Sequence, residues 1–165
     1  MTALEHIRKL MTELLMAAGL DAVTAWPESR RTRHIGATAA VSIRACESGP
    51  GSFCDYLGEQ YDTKSETWRE LYGKKMKITF GLDLYAPREG GAAACQSAFD
   101  RLTGTLQNGG PSGLSVLSLT QGETAFDRDT GLYHCPVTAV CQACLYATAE
   151  EGGAFLDFEV KGAKI

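Results

Sequence analysis

Lys75-Met76-Lys77-Ile78-Thr79-Phe80-Gly81-Leu82-Asp83-Leu84 alternates with a period of two. Met76, Ile78, Phe80, Leu82 and Leu84 fall on one side, with Lys75, Lys77, Thr79 and Asp83 on the other. Successive side chains of a strand point to opposite faces, so this pattern predicts a strand buried on one side only. Two further stretches repeat it. Ala37, Ala39, Val41, Ile43 and Ala45 oppose Thr38, Ser42 and Arg44, and Tyr133, Cys135, Val137, Ala139, Cys141, Ala143 and Leu145 oppose His134, Thr138, Gln142 and Tyr146. One-sided alternation is the mark of an antiparallel sheet packed on a single face. Strands are therefore expected over 36–46, 74–86 and 132–147, each well beyond the roughly 5–6 residues of a typical strand.

Two helices supply the cover for that face. Leu4, Ile7, Met11, Leu14 and Ala18 recur at helical spacing over 2–18, Thr2 and Glu5 have capping-box spacing, and Gly19 suits the position just past the helix end. Over 92–107 the stripe is Cys95, Phe99, Leu102 and Leu106, closed by Asn108-Gly109-Gly110-Pro111. Shorter strands are expected at Asp21–Trp26, Leu114–Thr120 and Glu123–Phe126, with a last one alternating Leu156, Phe158 and Val160. Asp127-Arg128-Asp129-Thr130-Gly131 has the composition of a hairpin turn. Helix, strands, helix, strands is the order of an α+β fold: a two-layer sandwich, mainly antiparallel, with both helices on the face carrying Val41, Ile43, Ile78, Phe80, Leu82, Val137 and Leu145.

Residues 1–165 are expected to form a single domain, interrupted by an inserted aromatic-rich loop at 47–73. That loop carries Phe53, Tyr56, Tyr61, Trp68 and Tyr72, with room for one or two helical turns at Thr67–Tyr72. Loops of such length inside compact domains are usually functional. Tyr and Trp are enriched at interface hot spots, although aromatics also fold back onto their own domain. Tyr56, Tyr61 and Trp68 are candidate partner-binding residues.

Charge and motifs narrow the function classes. The net charge of −4 suggests neither nucleic acid nor an anionic membrane as a partner of the whole domain. Locally, Arg30, Arg31, Arg33 and His34 are basic, and this cluster fits a protein contact better than nucleic acid because no aromatic stacking platform accompanies it. The N-terminus lacks the apolar core of a signal peptide, and no run approaches the ~20 apolar residues that span a bilayer. The six cysteines are accordingly expected as reduced thiols of a protein made in the cytoplasm. The CxxC at Cys141–Cys144 lies in an expected strand, where residues three apart face opposite ways and do not easily share a metal. His6, His34 and His134 have no nucleophile motif beside them, and no GxSxG, HExxH, Walker or dinucleotide-binding pattern occurs. No catalytic residue, cofactor or metal is expected.

Three segments carry a family likeness: Asp55-Tyr56-Leu57-Gly58, Leu71-Tyr72-Gly73-Lys74-Lys75 running into Ile78-Thr79-Phe80-Gly81-Leu82-Asp83-Leu84-Tyr85, and Gly122-Glu123-Thr124-Ala125-Phe126-Asp127. They resemble segments of prophage virion proteins from Gram-positive bacteria. In element order the chain resembles the tail terminator (tail-completion) proteins of long-tailed bacteriophages and prophages. The resemblance implies a non-enzymatic ring, commonly a hexamer, that caps the tail tube, ends its polymerisation and meets the head-completion or connector protein. It implies assembly in the host cytoplasm, then a place at the tail–head junction. The arginines 30, 31 and 33 would face one of these partners. Another neck or tail component, or a small bacterial binding module using the polar sheet face, are the alternatives.

Overall fold

A computed structural model describes residues 3–24, 36–48, 55–111, 113–149 and 155–160. The elements are α1 (Ala3–Ala17), β1 (Asp21–Val23), β2 (Thr38–Ser48), β3 (Asp55–Asp62), β4 (Thr67–Pro87), α2 (Gly91–Gln107), β5 (Ser115–Gln121), β6 (Ala125–Asp127), β7 (Leu132–Cys135), β8 (Val137–Ala149) and β9 (Phe155–Val160). All nine strands join one sheet, antiparallel except for the β1–β2 pair, and both helices pack against it, giving the expected α+β sandwich.

β4 is the axis of the sheet. Its 21 residues pair on one edge with β3 and then β2, and on the other with β8 and then β7. The outer rank is β6, β5 and β9, paired with β7 and β8. The expected strand 132–147 is divided by Pro136, which has no N–H to donate. Pairing nevertheless resumes in the same register, with Leu84 opposite Cys135 and Gly81 opposite Thr138. The Val137 N–H donates instead to Asp83 Oδ1 at 3.2 Å.

The alternation on β4 does what its pattern requires: Ile78, Phe80, Leu82, Leu84 and Ala86 are sealed from solvent on the helix side. Ala39 and Val41 from β2, and Val137, Ala139, Cys141 and Ala143 from β8, complete that layer, while Ile43 is half-buried. A bulge at Arg44 changes the β2 register, so Cys46 rather than Ala45 stands opposite Ile78. In α1 the buried stripe is Ile7, Met11 and Leu15, one step rotated from the expected one, and Leu4 lies exposed. The helix closes as Gly19 predicts. With φ of +78°, Gly19 donates to Met16 O and Leu20 donates to Leu15 O, a Schellman motif whose two leucines are both in the core. The α2 stripe is Cys95, Ala98, Leu102 and Leu106. Gly131 takes the left-handed position of the β6–β7 turn, with φ of +71°.

The inserted loop is the main correction. Its described part is no loop and holds no helical turn: β3 and the first residues of β4 form a β-hairpin turning at 63–66. Leu57 is the extra residue of a bulge next to Gly58, which has φ of +134°. That one insertion breaks the alternation on β3 and hides the strand from a search for period two.

Candidate protein-binding surface

The hairpin places four aromatic rings on one face. β4 carries Trp68, Glu70 and Tyr72 at alternate positions, and β3 brings Tyr61, Glu59 and Tyr56 opposite them. Because β4 pairs with β8 without a register shift from Tyr72 to Gly81, this face continues the core-facing side of Ile78 and Phe80. Farther along β4 the helices cover that side; here Trp68 is 67% exposed, Tyr56 57% and Tyr61 45%. Large apolar groups concentrated this way, unlike singly scattered ones, make this face the candidate interaction surface. Among the described residues, β8 accompanies β4 only as far as Tyr72, so the ribbon beyond is two-stranded.

Cross-strand pairing holds the rings. Tyr61 and Trp68 meet edge-to-face with centroids 5.4 Å apart, and Tyr56 and Tyr72 do the same at 5.8 Å. Such pairs contribute about 0.5–1.5 kcal/mol each beyond burial. At the turn, Asp62 accepts the Lys64 N–H at 2.9 Å and pairs with Arg69 at 3.0 Å, which holds its carboxyl below the usual range, the backbone bond contributing most. On the reverse face Leu71 is buried with Cys144, against Leu57.

Between the two ring pairs stand two carboxylates. Glu59 and Glu70 are directly opposite in the ladder. The Tyr72 hydroxyl donates to Glu70 at 2.5 Å, which raises the Tyr72 phenol above its ordinary value. Tyr56 is also raised, first by desolvation and then by Glu59 and Glu70.

The open polar face of the sheet carries a second cluster. Arg44 donates from Nη2 to Asp83 Oδ1 at 2.6 Å and from Nη1 to Thr138 Oγ1 at 2.7 Å. His134 stacks on Tyr85 at 4.7 Å, with Nε2 3.6 Å from Asp83 Oδ2, too far for a direct hydrogen bond. Burial, then Asp83 and Asp127, push the Tyr85 phenol up. The Arg44 and Asp83 charges are matched internally, in a network that fastens β2, β4 and β8 together, while His134 Nε2 is buried without a hydrogen-bond partner. A cavity of about 380 Å³ lies between α2 and β5, lined by Phe99, Leu106, Val116 and Leu119.

Of the expected site residues, Tyr56, Tyr61 and Trp68 are brought together on one face. Arg30, Arg31 and Arg33 lie outside the described residues. Tyr72, noted in sequence only as one of the segment's aromatics, joins that aromatic face, and Glu59 and Glu70 escaped sequence reasoning, although Trp68-Arg69-Glu70-Leu71-Tyr72 already alternates. Cys141 and Cys144 point to opposite faces, one into the main core and the other toward Leu71. The described cysteines, 46, 95, 135, 141 and 144, are free thiols. Among the described residues no group of three or more His, Cys, Asp or Glu is placed to hold a metal ion, and no helix is long and apolar enough to cross a membrane. No family model matches the chain, and no curated protein matches it.

Proposed function

We propose that this chain is a structural assembly protein of a phage or prophage virion, forming a ring, a hexamer in the simplest case, that caps the tail tube and joins tail to head. The observation that carries the reading is the exposed aromatic face of the β3–β4 hairpin, Tyr56, Tyr61 and Trp68. A two-stranded ribbon is marginal alone, so a ribbon that spends its largest side chains on solvent is built to be covered by a partner. Head-to-tail contacts that close by rotation produce rings. The tail tube protein and the head-completion protein are the partners this reading assigns beyond the ring itself, with Arg30, Arg31 and Arg33 facing an acidic partner.

Deletion of the gene from its parent phage or prophage tests the role. The expected result is tails of unregulated length and heads left unjoined, counted by electron microscopy; normal virions overturn the proposal. The second reading, a small binding module on the polar sheet face, draws on the buried His134 Nε2 of that face, which has no hydrogen-bond partner, and predicts a protein that stays monomeric.

A further inference from the structure

We infer that the cavity between α2 and β5 is a binding site for a small neutral molecule with an apolar body and one hydroxyl group. The site is separate from the aromatic hairpin and does not rest on the assembly reading above.

A register shift shapes one wall. Residues three apart on a regular strand face opposite ways, yet Val116 and Leu119 both stand on the helix side of β5, opposite Cys141 and Ala139 of the core. The bulge at Leu117 makes this possible, and bulges commonly re-aim side chains beside functional sites. Phe99 and Leu106 of α2 form the other wall. The enclosed volume of about 380 Å³ falls within the roughly 300–1,000 Å³ of small-molecule pockets. At roughly 30 Å³ for a water-sized group, it has room for about a dozen non-hydrogen atoms. Exposed Leu117 and Ser118 border the cavity, and among the described residues β5 pairs with β8 alone, so a ligand enters from the open edge of the sheet.

Thr103 is the independent sign of a ligand. A threonine inside a helix can return its hydroxyl to the carbonyl four residues back. Thr12 does so to Arg8 O and Thr105 to Arg101 O, both at 2.9 Å. Thr103 lines the cavity, and its Oγ1 is buried with no hydrogen-bond partner among the described residues. A buried polar atom left unpaired is uncommon in a native fold and calls for a partner. A hydroxyl both donates and accepts, so a ligand hydroxyl satisfies Thr103 in either sense. None of the residues lining the cavity is charged. Nothing there balances an ionised ligand, whose desolvation would go uncompensated. The apolar walls set the body of the ligand, the volume its size, and Thr103 its polar group.

Equilibrium dialysis of the full chain at neutral pH against 2-naphthol, naphthalene and 2-naphthoate tests it. The wild type binds 2-naphthol saturably, about tenfold tighter than naphthalene, the difference one hydrogen bond makes. It does not bind 2-naphthoate. Thr103→Val, which exchanges the hydroxyl for a methyl, binds 2-naphthol no tighter than naphthalene and melts no lower than the wild type, because a buried unpaired hydroxyl has been removed. Leu119→Trp fills the cavity and loses both ligands. Absence of saturable 2-naphthol binding, equal wild-type affinity for 2-naphthol and naphthalene, or binding of 2-naphthoate overturns the inference. So does an undiminished preference for 2-naphthol in Thr103→Val, or full binding by a Leu119→Trp protein with the wild-type circular dichroism. Should Leu119→Trp not fold, the comparison of Thr103→Val with the wild type decides alone.

Discussion

Arg44 lies across Gly81, with its Nε only 2.6 Å from where a Gly81 Cβ would sit, while its Nη2 reaches Asp83 Oδ1 at the same distance. Ser42 Oγ is equally close to that Cβ position. Gly81 therefore interrupts the β4 alternation for a reason: the absent side chain is the space the guanidinium uses. Asp83, held by Arg44, is in turn free to accept the Val137 N–H that follows Pro136. One glycine, one arginine and one aspartate close the place where the long third strand would otherwise lose its ladder.

Gly81→Ala should cost about 1–3 kcal/mol, the range for forcing an extra carbon into a filled space. The same change in an S42A/R44A background should cost distinctly less, because the two obstructing side chains are gone. Urea denaturation of the four proteins measures the coupling, and equal penalties in both backgrounds would reject this account.

Phe80→Ala should destabilise by about 3–5 kcal/mol, since the ring is fully buried in the core to which both helices contribute. A near-neutral result in chemical denaturation is incompatible with the register described.

How much of this was legible in the sequence follows from where the periodicity is undisturbed. β4 from Met76 onward, α2 and the Gly19 closure of α1 carry one signal each, and the structure agrees with all three. Apart from the one-step rotation of the α1 stripe, the failures occur at single-residue irregularities. The Arg44 bulge exchanges Ala45 for Cys46, and the Leu57 bulge turns an alternating strand into what looks like a mixed loop. Glu59 and Glu70 gave no sign of facing each other, because cross-strand register depends on the turn and the bulge together. The candidate surface was thus visible as composition and invisible as geometry.

Alkaline pH should unfold the protein through two thiols. Burial, reinforced by Cys135 nearby, pushes Cys95 up to about 11, and burial alone pushes Cys141 up to about 12, against an ordinary 9.0. The folded state therefore holds these protons after the unfolded chain has released them. Their contribution is complete below pH 9, falls as pH rises above it, and is gone once each thiol ionises in the native state. Cys141→Ala should flatten the decline of the melting temperature between pH 9 and 11 measured by scanning calorimetry. An unchanged slope contradicts the burial of that sulfur. At neutral pH, iodoacetamide should modify exposed Cys46 well before Cys95 or Cys141, as peptide mass mapping would reveal.

The aromatic face should separate folding from association. Trp68 and Tyr61 pack on each other but lie largely in solvent, so replacing Trp68 with Ala removes little buried area from the monomer. The expected loss of stability is about 0.5–1.5 kcal/mol, the size of one edge-to-face pair. Truncating an aromatic anchor at an interface commonly costs about 2 kcal/mol or more of binding, roughly thirtyfold in affinity. Trp68→Ala should accordingly leave a folded protein with at least that drop in self-association, measured by sedimentation equilibrium beside Leu117→Ala. Leu117 is the fitting control, being comparably exposed at 57% but placed on β5, away from the hairpin. Equal effects of the two substitutions would mean that exposed apolar area in general, and not this face, drives the assembly.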